Sequence, residues 1–291
     1  MLNLLRAEWQ KVTGNRMLTS FTVWAFPVGI TAFVLVITVV VLVTDYPPVG
    51  VGNEWTTGMI GTWSALTLFP GNIFMRMFVA AFMAAFFAGE YEWGTWKNIV
   101  PRTRRWQLMA TKFWVFSVIV VFSLFITSLV VGIGFWLPFA VGGFDYGPSL
   151  TQQVVLDFLP KYLLEALFAF GIALLLAGLA ALAVLLTRSV VGGLLLGFCL
   201  SIIEAVSGFL LLWISILFNR PEIANLYAYT PTYSIENIRS WVLAGAAIHP
   251  PYLPLFDLTL TQNASLLILI GWVVGLMLLA IFFFQRQDLT S

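Results

Sequence analysis

Charge is what this 291-residue sequence has least of: Asp, Glu, Lys and Arg make up 9% of it, against 60% hydrophobic residues. A soluble domain carries about 25% charged residues, so the composition, with a mean hydropathy of +0.97, excludes a water-soluble fold. Cysteine and histidine occur once each, as Cys199 and His249, which excludes disulfide frameworks and Cys/His metal clusters. There is no Gly-Lys dipeptide, hence no GxxxxGK[ST] phosphate loop and no nucleotide-binding domain in the chain. The net charge of +1 gives no electrostatic reason for a nucleic-acid partner. No cluster of Asp, Glu and His suited to metal binding or acid-base work is apparent, which disfavours a membrane-embedded enzyme.

What is present is a series of long apolar runs. An apolar helix needs roughly 20 residues to cross a bilayer, and six stretches qualify, at about 20–43, 69–88, 113–139, 162–186, 190–217 and 264–284. The expected fold is therefore all-α: a single polytopic transmembrane domain over 1–291, with six spans and both ends on one side. Residues 2–18 precede the first span with Leu2, Leu5, Trp9 and Val12 at helical spacing and Arg6, Glu8, Lys11 and Arg16 between them. That pattern suits an amphipathic helix lying in the headgroup layer, retained rather than cleaved as a signal peptide. The loop at 45–68 has Asp45 and Glu54, no Lys or Arg, and Trp55 and Trp63 suited to a membrane interface. A second weakly charged loop covers 140–160. The segment 218–263 is too long for a plain connector, and its residues 233–248 read as a re-entrant or interfacial helix on the outer side, or as a surface-lying connector.

Orientation follows from the basic residues. Arg6, Lys11, Arg16, Lys97, Arg102, Arg104, Arg105, Lys112, Arg188 and Arg286, ten of the fourteen Lys and Arg, fall on the side holding the N-terminus. The positive-inside rule then places both termini and the loop 89–112 in the cytoplasm of a bacterial cell, with the chain a multi-pass protein of the cell membrane.

That loop, GEYEWGTWKNIVPRTRRWQLMATK, is the densest charged patch in the sequence. Gly94 is placed to end the second span, Thr95 to cap a short helix, and Pro101 to stop it. Glu90 and Glu92 precede that helix; Arg102, Arg104, Arg105 and Lys112 follow it. From charge alone, a basic loop that merely sets topology would look the same. The order of residue types goes further, because Gly89, Glu90, Glu92, Gly94, Thr95, Lys97, Arg105 and Lys112 together resemble the coupling loop of ABC-transporter permeases of the type V exporter class, half-size bacterial forms in particular. The six-span count, the N-terminal amphipathic helix and the short turn at 187–189 extend the resemblance over most of the chain.

The resemblance implies a transport subunit, not an enzyme. Its loop would dock on a cytosolic ABC ATPase present in two copies, which binds the ATP and Mg. The chain itself would hold no cofactor and would pair with a second permease, identical or related. The cargo implied is hydrophobic or amphipathic, moved outward past spans two and five, with the outer loop 218–263 as a gate.

Two ionisable residues fall inside expected spans, Arg76 in the second and Glu204 in the fifth. At about 1.5 Å per residue they stand roughly 20 Å from Gly89 and roughly 24 Å from Arg188, depths similar enough for a pair. The competing reading has Arg76 snorkelling to the outer headgroups and Glu204 packed in its protonated form. As a pair they also define the alternative function, an ion-coupled secondary transporter. Small residues at four-residue spacing, Ala80/Ala84/Ala88, Ala81/Ala85/Gly89, Gly193/Gly197 and Gly271/Gly275, suit close helix contact, within one chain or between two.

Overall fold

The computed structural model describes residues 2–14, 16–44, 46–48, 52–67, 72–92, 104–250 and 253–287; within these, the side chains of 17, 18, 21, 22, 72 and 88–92 are not described. The chain is helical, and no strand forms among the described residues beyond one isolated bridge between Glu54 and Gly147. In order, the helices are α1 (Leu2–Gly14), α2 (Arg16–Thr19), a π turn (Ser20–Trp24), α3 (Ala25–Thr44), α4 (Trp55–Ser64), α5 (Asn72–Glu92) and α6 (Arg105–Gly134). There follow α7 (Trp136–Val141), α8 (Gln152–Thr187), α9 (Val190–Ala205), α10 (Ser207–Leu217), a 3₁₀ stretch (Pro221–Tyr229), α11 (Pro231–Ala244) and α12 (Gln262–Arg286).

Among the described residues, four helical segments are long and apolar enough to cross a membrane: Ala25–Thr44, Arg105–Val141, Gln152–Thr187 and Gln262–Arg286. A fifth results if α9 and α10, bent by 69° about Val206, count as one broken span. The stretch expected as the second span is helical over its described part, α5 (Asn72–Glu92), and residues 68–71 ahead of it lie outside the described residues. Other boundaries move because charged residues and a proline are absorbed into helices. α6 starts at Arg105 rather than 113, and α8 starts at Gln152 and runs through Pro160. The bend between α9 and α10 coincides with Ser207-Gly208, the small-residue pair that commonly marks a sharp kink.

The chain divides into two compact units, 1–68 with 114–173 and 69–113 with 174–291, the divisions falling within α6 and α8. Neutral hydrogen bonds join distant parts of the first unit. The hydroxyl of Ser123 donates to the carbonyl of Val23 in the π turn (3.1 Å), and Ser128 and Tyr162 share a hydrogen bond of 2.7 Å. Trp63, expected at an interface, is buried instead, with its ring edge-on to Tyr162 at 5.7 Å. Trp55 packs on Phe158 and donates its indole N–H to the carbonyl of Pro148 (2.7 Å). In α1, Glu8 and Val12 are buried, while Leu2 and Trp9 are exposed.

In the second unit α5 packs along α9. Gly193 and Gly197 bring α9 against α8 so closely that a Cβ at Gly193 would lie 2.4 Å from Val184 Cγ2, and one at Gly197 3.2 Å from Ala180 Cα. The segment after α10 is a packed element, with Tyr227, Ala228, Tyr233, Leu253 and Phe256 forming its core. Gly208 leaves room for Tyr227, whose ring a Cβ there would meet at 3.1 Å. α11 runs from Thr230 as N-cap and Pro231 at its first position to Gly245 at φ 69°, the left-handed terminator that glycine favours. Asn237, fully buried, ties it to α12: its amide donates to Leu260 O and Ser265 Oγ, and its oxygen accepts from Ile248 N.

Candidate functional site

Arg76 lies in the second turn of α5 and Glu204 in the last turn of α9, one residue pair before the bend. The guanidinium is 0% exposed and the Glu204 side chain 11%, and Arg76 Nη1 makes an ion pair with Glu204 Oε2. Nη1 also donates to the carbonyl of Ser201 at 3.3 Å. A buried guanidinium without a counter-ion would be prohibitively costly, so the pair explains how the charge is tolerated. The snorkelling alternative does not describe this geometry.

The second oxygen of the carboxylate is held by α11. Glu204 Oε1 accepts from the backbone N–H of Thr232 (3.0 Å) and from its hydroxyl (2.7 Å). Thr232 stands in the first turn of the 14-residue α11, where unpaired N–H groups and the helix dipole favour a negative charge. One carboxylate therefore joins α5, the break between α9 and α10, and the start of α11. The sequence reading missed Thr232 and Ser201. The signal available for Thr232 was Thr230-Pro231, a capping residue followed by proline, which marks a helix start able to hold an anion.

Of the charged-loop residues, Gly94, Thr95, Lys97 and Arg102 lie outside the described residues, as does the short helix expected after Thr95. Glu90 and Glu92 fall in the last turns of α5, and their side chains are not described. Arg104 is exposed just ahead of α6, and its carbonyl accepts from Gln107 N and Leu108 N. Arg105 is half-buried. Its Nη1 donates to the carbonyls of Phe284 (3.0 Å), Gln285 (2.9 Å) and Gln287 (2.8 Å), groups that the end of α12 leaves without helical partners. The Gln287 amide in turn donates to Leu185 O, near the end of α8 (2.6 Å). Lys112 is not on the loop surface. It sits two turns into α6, fully buried, with Nζ 4.3 Å from the centre of the Phe86 ring and 5.5 Å from that of Phe87.

No group of three or more His, Cys, Asp or Glu suited to a metal ion occurs among the described residues. Comparison with protein-family models, curated proteins and solved structures gave no match to this chain.

Proposed function

We propose that the chain is the membrane-spanning permease subunit of an ATP-driven ABC exporter of the type V class, moving a hydrophobic or amphipathic cargo, with ATP hydrolysed by two copies of a separate cytosolic subunit. The observation that carries this reading is the clasp made by Arg105. The base of the charged loop is bonded to three carbonyls at the end of α12, and the same terminus is bonded to α8 through Gln287. A force applied to the loop by a nucleotide-driven partner reaches two further helices through these contacts. On this reading the clasp lies at the cytoplasmic face, and both termini are cytoplasmic. The six-span count and the interfacial role of α1 belong to the same proposal, as does pairing with a second permease.

The test is a pull-down from mild detergent. The wild-type chain is compared with a variant in which Glu90, Glu92, Arg104 and Arg105 are all alanine, and soluble partners are identified by mass spectrometry. Recovery of a cytosolic ATPase with the wild type and its loss with the variant supports the reading; a correctly inserted wild type that recovers no ATPase overturns it.

A second reading, an ion-coupled carrier, is favoured by one observation: the buried ion pair stands at the break of a discontinuous span, a common site of ion and substrate binding in secondary transporters. In vesicles, cargo movement that survives ATP depletion but stops with a protonophore would select it.

A further inference from the structure

Arg76 has five N–H donors, and the described residues satisfy only those at Nη1; Nε and Nη2 are buried and find no partner among the described residues. The reason is geometric. Thr232 holds Glu204 Oε1 through both its N–H and its hydroxyl, so the carboxylate reaches Arg76 with the other oxygen alone, at the Nη1 end. A carboxylate free to turn would take the guanidinium side-on with both oxygens. Among the described residues that side-on edge, Nε with Nη2, is left open, and its two parallel donors match the two oxygens of a carboxylate or phosphate.

We infer that this open edge of Arg76 receives the acidic headgroup, carboxylate or phosphate, of an amphipathic molecule drawn from the membrane. The charge balance permits a second anion because the N-terminal turn of α11, which shares Glu204, adds its partial positive charge to that of Arg76. The apolar tail follows from the setting: Arg76 lies within the apolar stretch Ile73–Phe87 of α5, so a molecule that reaches it arrives among apolar side chains. Since the guanidinium is fully buried, headgroup entry requires a neighbouring segment to move aside, as a cargo site that alternates between closed and open states demands. The assignment rests on the permease reading only in calling the bound molecule cargo. Its test contains no ATPase, so its failure and failure of the partner pull-down are separate results.

The experiment measures apparent Tm and Kd of the full chain in decyl maltoside, an uncharged detergent. The probes are dodecyl phosphate, dodecanoate, dodecanol, dodecyltrimethylammonium, inorganic phosphate and acetate. The expected result is that dodecyl phosphate and dodecanoate raise Tm by on the order of 5 °C at a hundredfold excess over Kd, whereas dodecanol and dodecyltrimethylammonium do not. Arg76→Lys, which keeps the charge but loses the fork, is expected to weaken binding of the two anionic amphiphiles by about tenfold. Equal shifts with dodecanol and dodecyl phosphate, no shift with any probe, or undiminished affinity in Arg76→Lys would overturn the site. Inorganic phosphate binding as tightly as dodecyl phosphate would overturn the amphiphile and leave a plain anion site. If Arg76→Lys does not fold, the probe series on the wild type decides alone.

Discussion

The two units differ in the charges they hold inside an apolar fold. In the unit of residues 1–68 and 114–173, the buried charged groups among the described residues are the acids Glu8 and Glu165, and the hydroxyl contacts are neutral. Thr38 and Thr127 bond carbonyls one turn back, Ser123 serves the π turn, and Ser128 pairs with Tyr162. A groove of about 580 Å³ in it, beside Trp63, Phe122, Phe125 and Phe170, is almost wholly apolar. The unit of residues 69–113 and 174–291 instead buries the cations Arg76 and Lys112, with the carboxylate of Glu204, 11% exposed, as the partner of Arg76. A neutral hydrogen bond costs little to desolvate and little to lose; a buried charge is tolerable only while its partner stays. Displacing Glu204 from Arg76 is therefore a change of large consequence in the second unit.

The largest expected effect tests that asymmetry. Glu204→Leu strands the Arg76 charge and is expected to cost about 3–5 kcal/mol, whereas the double change Arg76→Met with Glu204→Leu, which removes both charges, recovers most or all of the loss. In the first unit Tyr162→Phe, which removes the hydroxyl shared with Ser128, is expected to cost about 1 kcal/mol. Unfolding of the purified chain in detergent measures all three. A double variant no better than Glu204→Leu would break the comparison.

A smaller effect separates glycines that look alike in sequence. Gly193 is packed on Val184, so Gly193→Ala overpacks the α8/α9 contact and is expected to destabilise by about 1–3 kcal/mol. At Gly271 a Cβ meets nothing within 4 Å, and removing a glycine from a helix interior is expected to stabilise by about 0.5–1 kcal/mol. The same unfolding assay should give opposite signs; equal signs would mean that the four-residue spacing, not the packing, sets the outcome.

The apolar runs made α3, α8 and α12 legible, because lipid-facing and core-facing residues are both hydrophobic and a run needs no periodicity to be seen. The same uniformity hid what interrupts helices. Arg104, Arg105 and Lys112 read as loop, yet Leu108, Met109 and Phe113 between and beside them are buried on α6, and Lys112 is absorbed against Phe86 and Phe87. Pro160 fell in the loop expected at 140–160, yet it lies inside α8, and helices near a membrane carry proline when their freed groups are otherwise satisfied. Of the candidate site, Arg76 and Glu204 were visible because charge in an apolar run is conspicuous. Thr232 was not, because a threonine in a polar stretch carries no such contrast, and its role depends on where the start of α11 meets α9.

Titration gives the smallest and most selective contrast. Tyr146, between α7 and α8 in the first unit, donates its hydroxyl to the carbonyl of Gly132 at 2.9 Å, and burial pushes its phenol from the ordinary 10.0 up to about 12. Below pH 10 the folded and unfolded chains both keep the proton, and the contribution to stability is complete. Between pH 10 and about 12 the unfolded chain loses its proton while the folded chain retains it, so stability falls as pH rises, and the contribution is gone above the folded value. Tyr146→Phe cannot ionise. Below pH 10 it is expected to be less stable than wild type, for want of the hydrogen bond, and the difference should shrink through that window. Unfolding midpoints across the alkaline range, with phenolate absorbance recorded alongside, measure it. Parallel curves for the two proteins would mean that the Tyr146 hydroxyl ionises as freely when folded as when unfolded, and the first unit would then not be keeping this group neutral by burial.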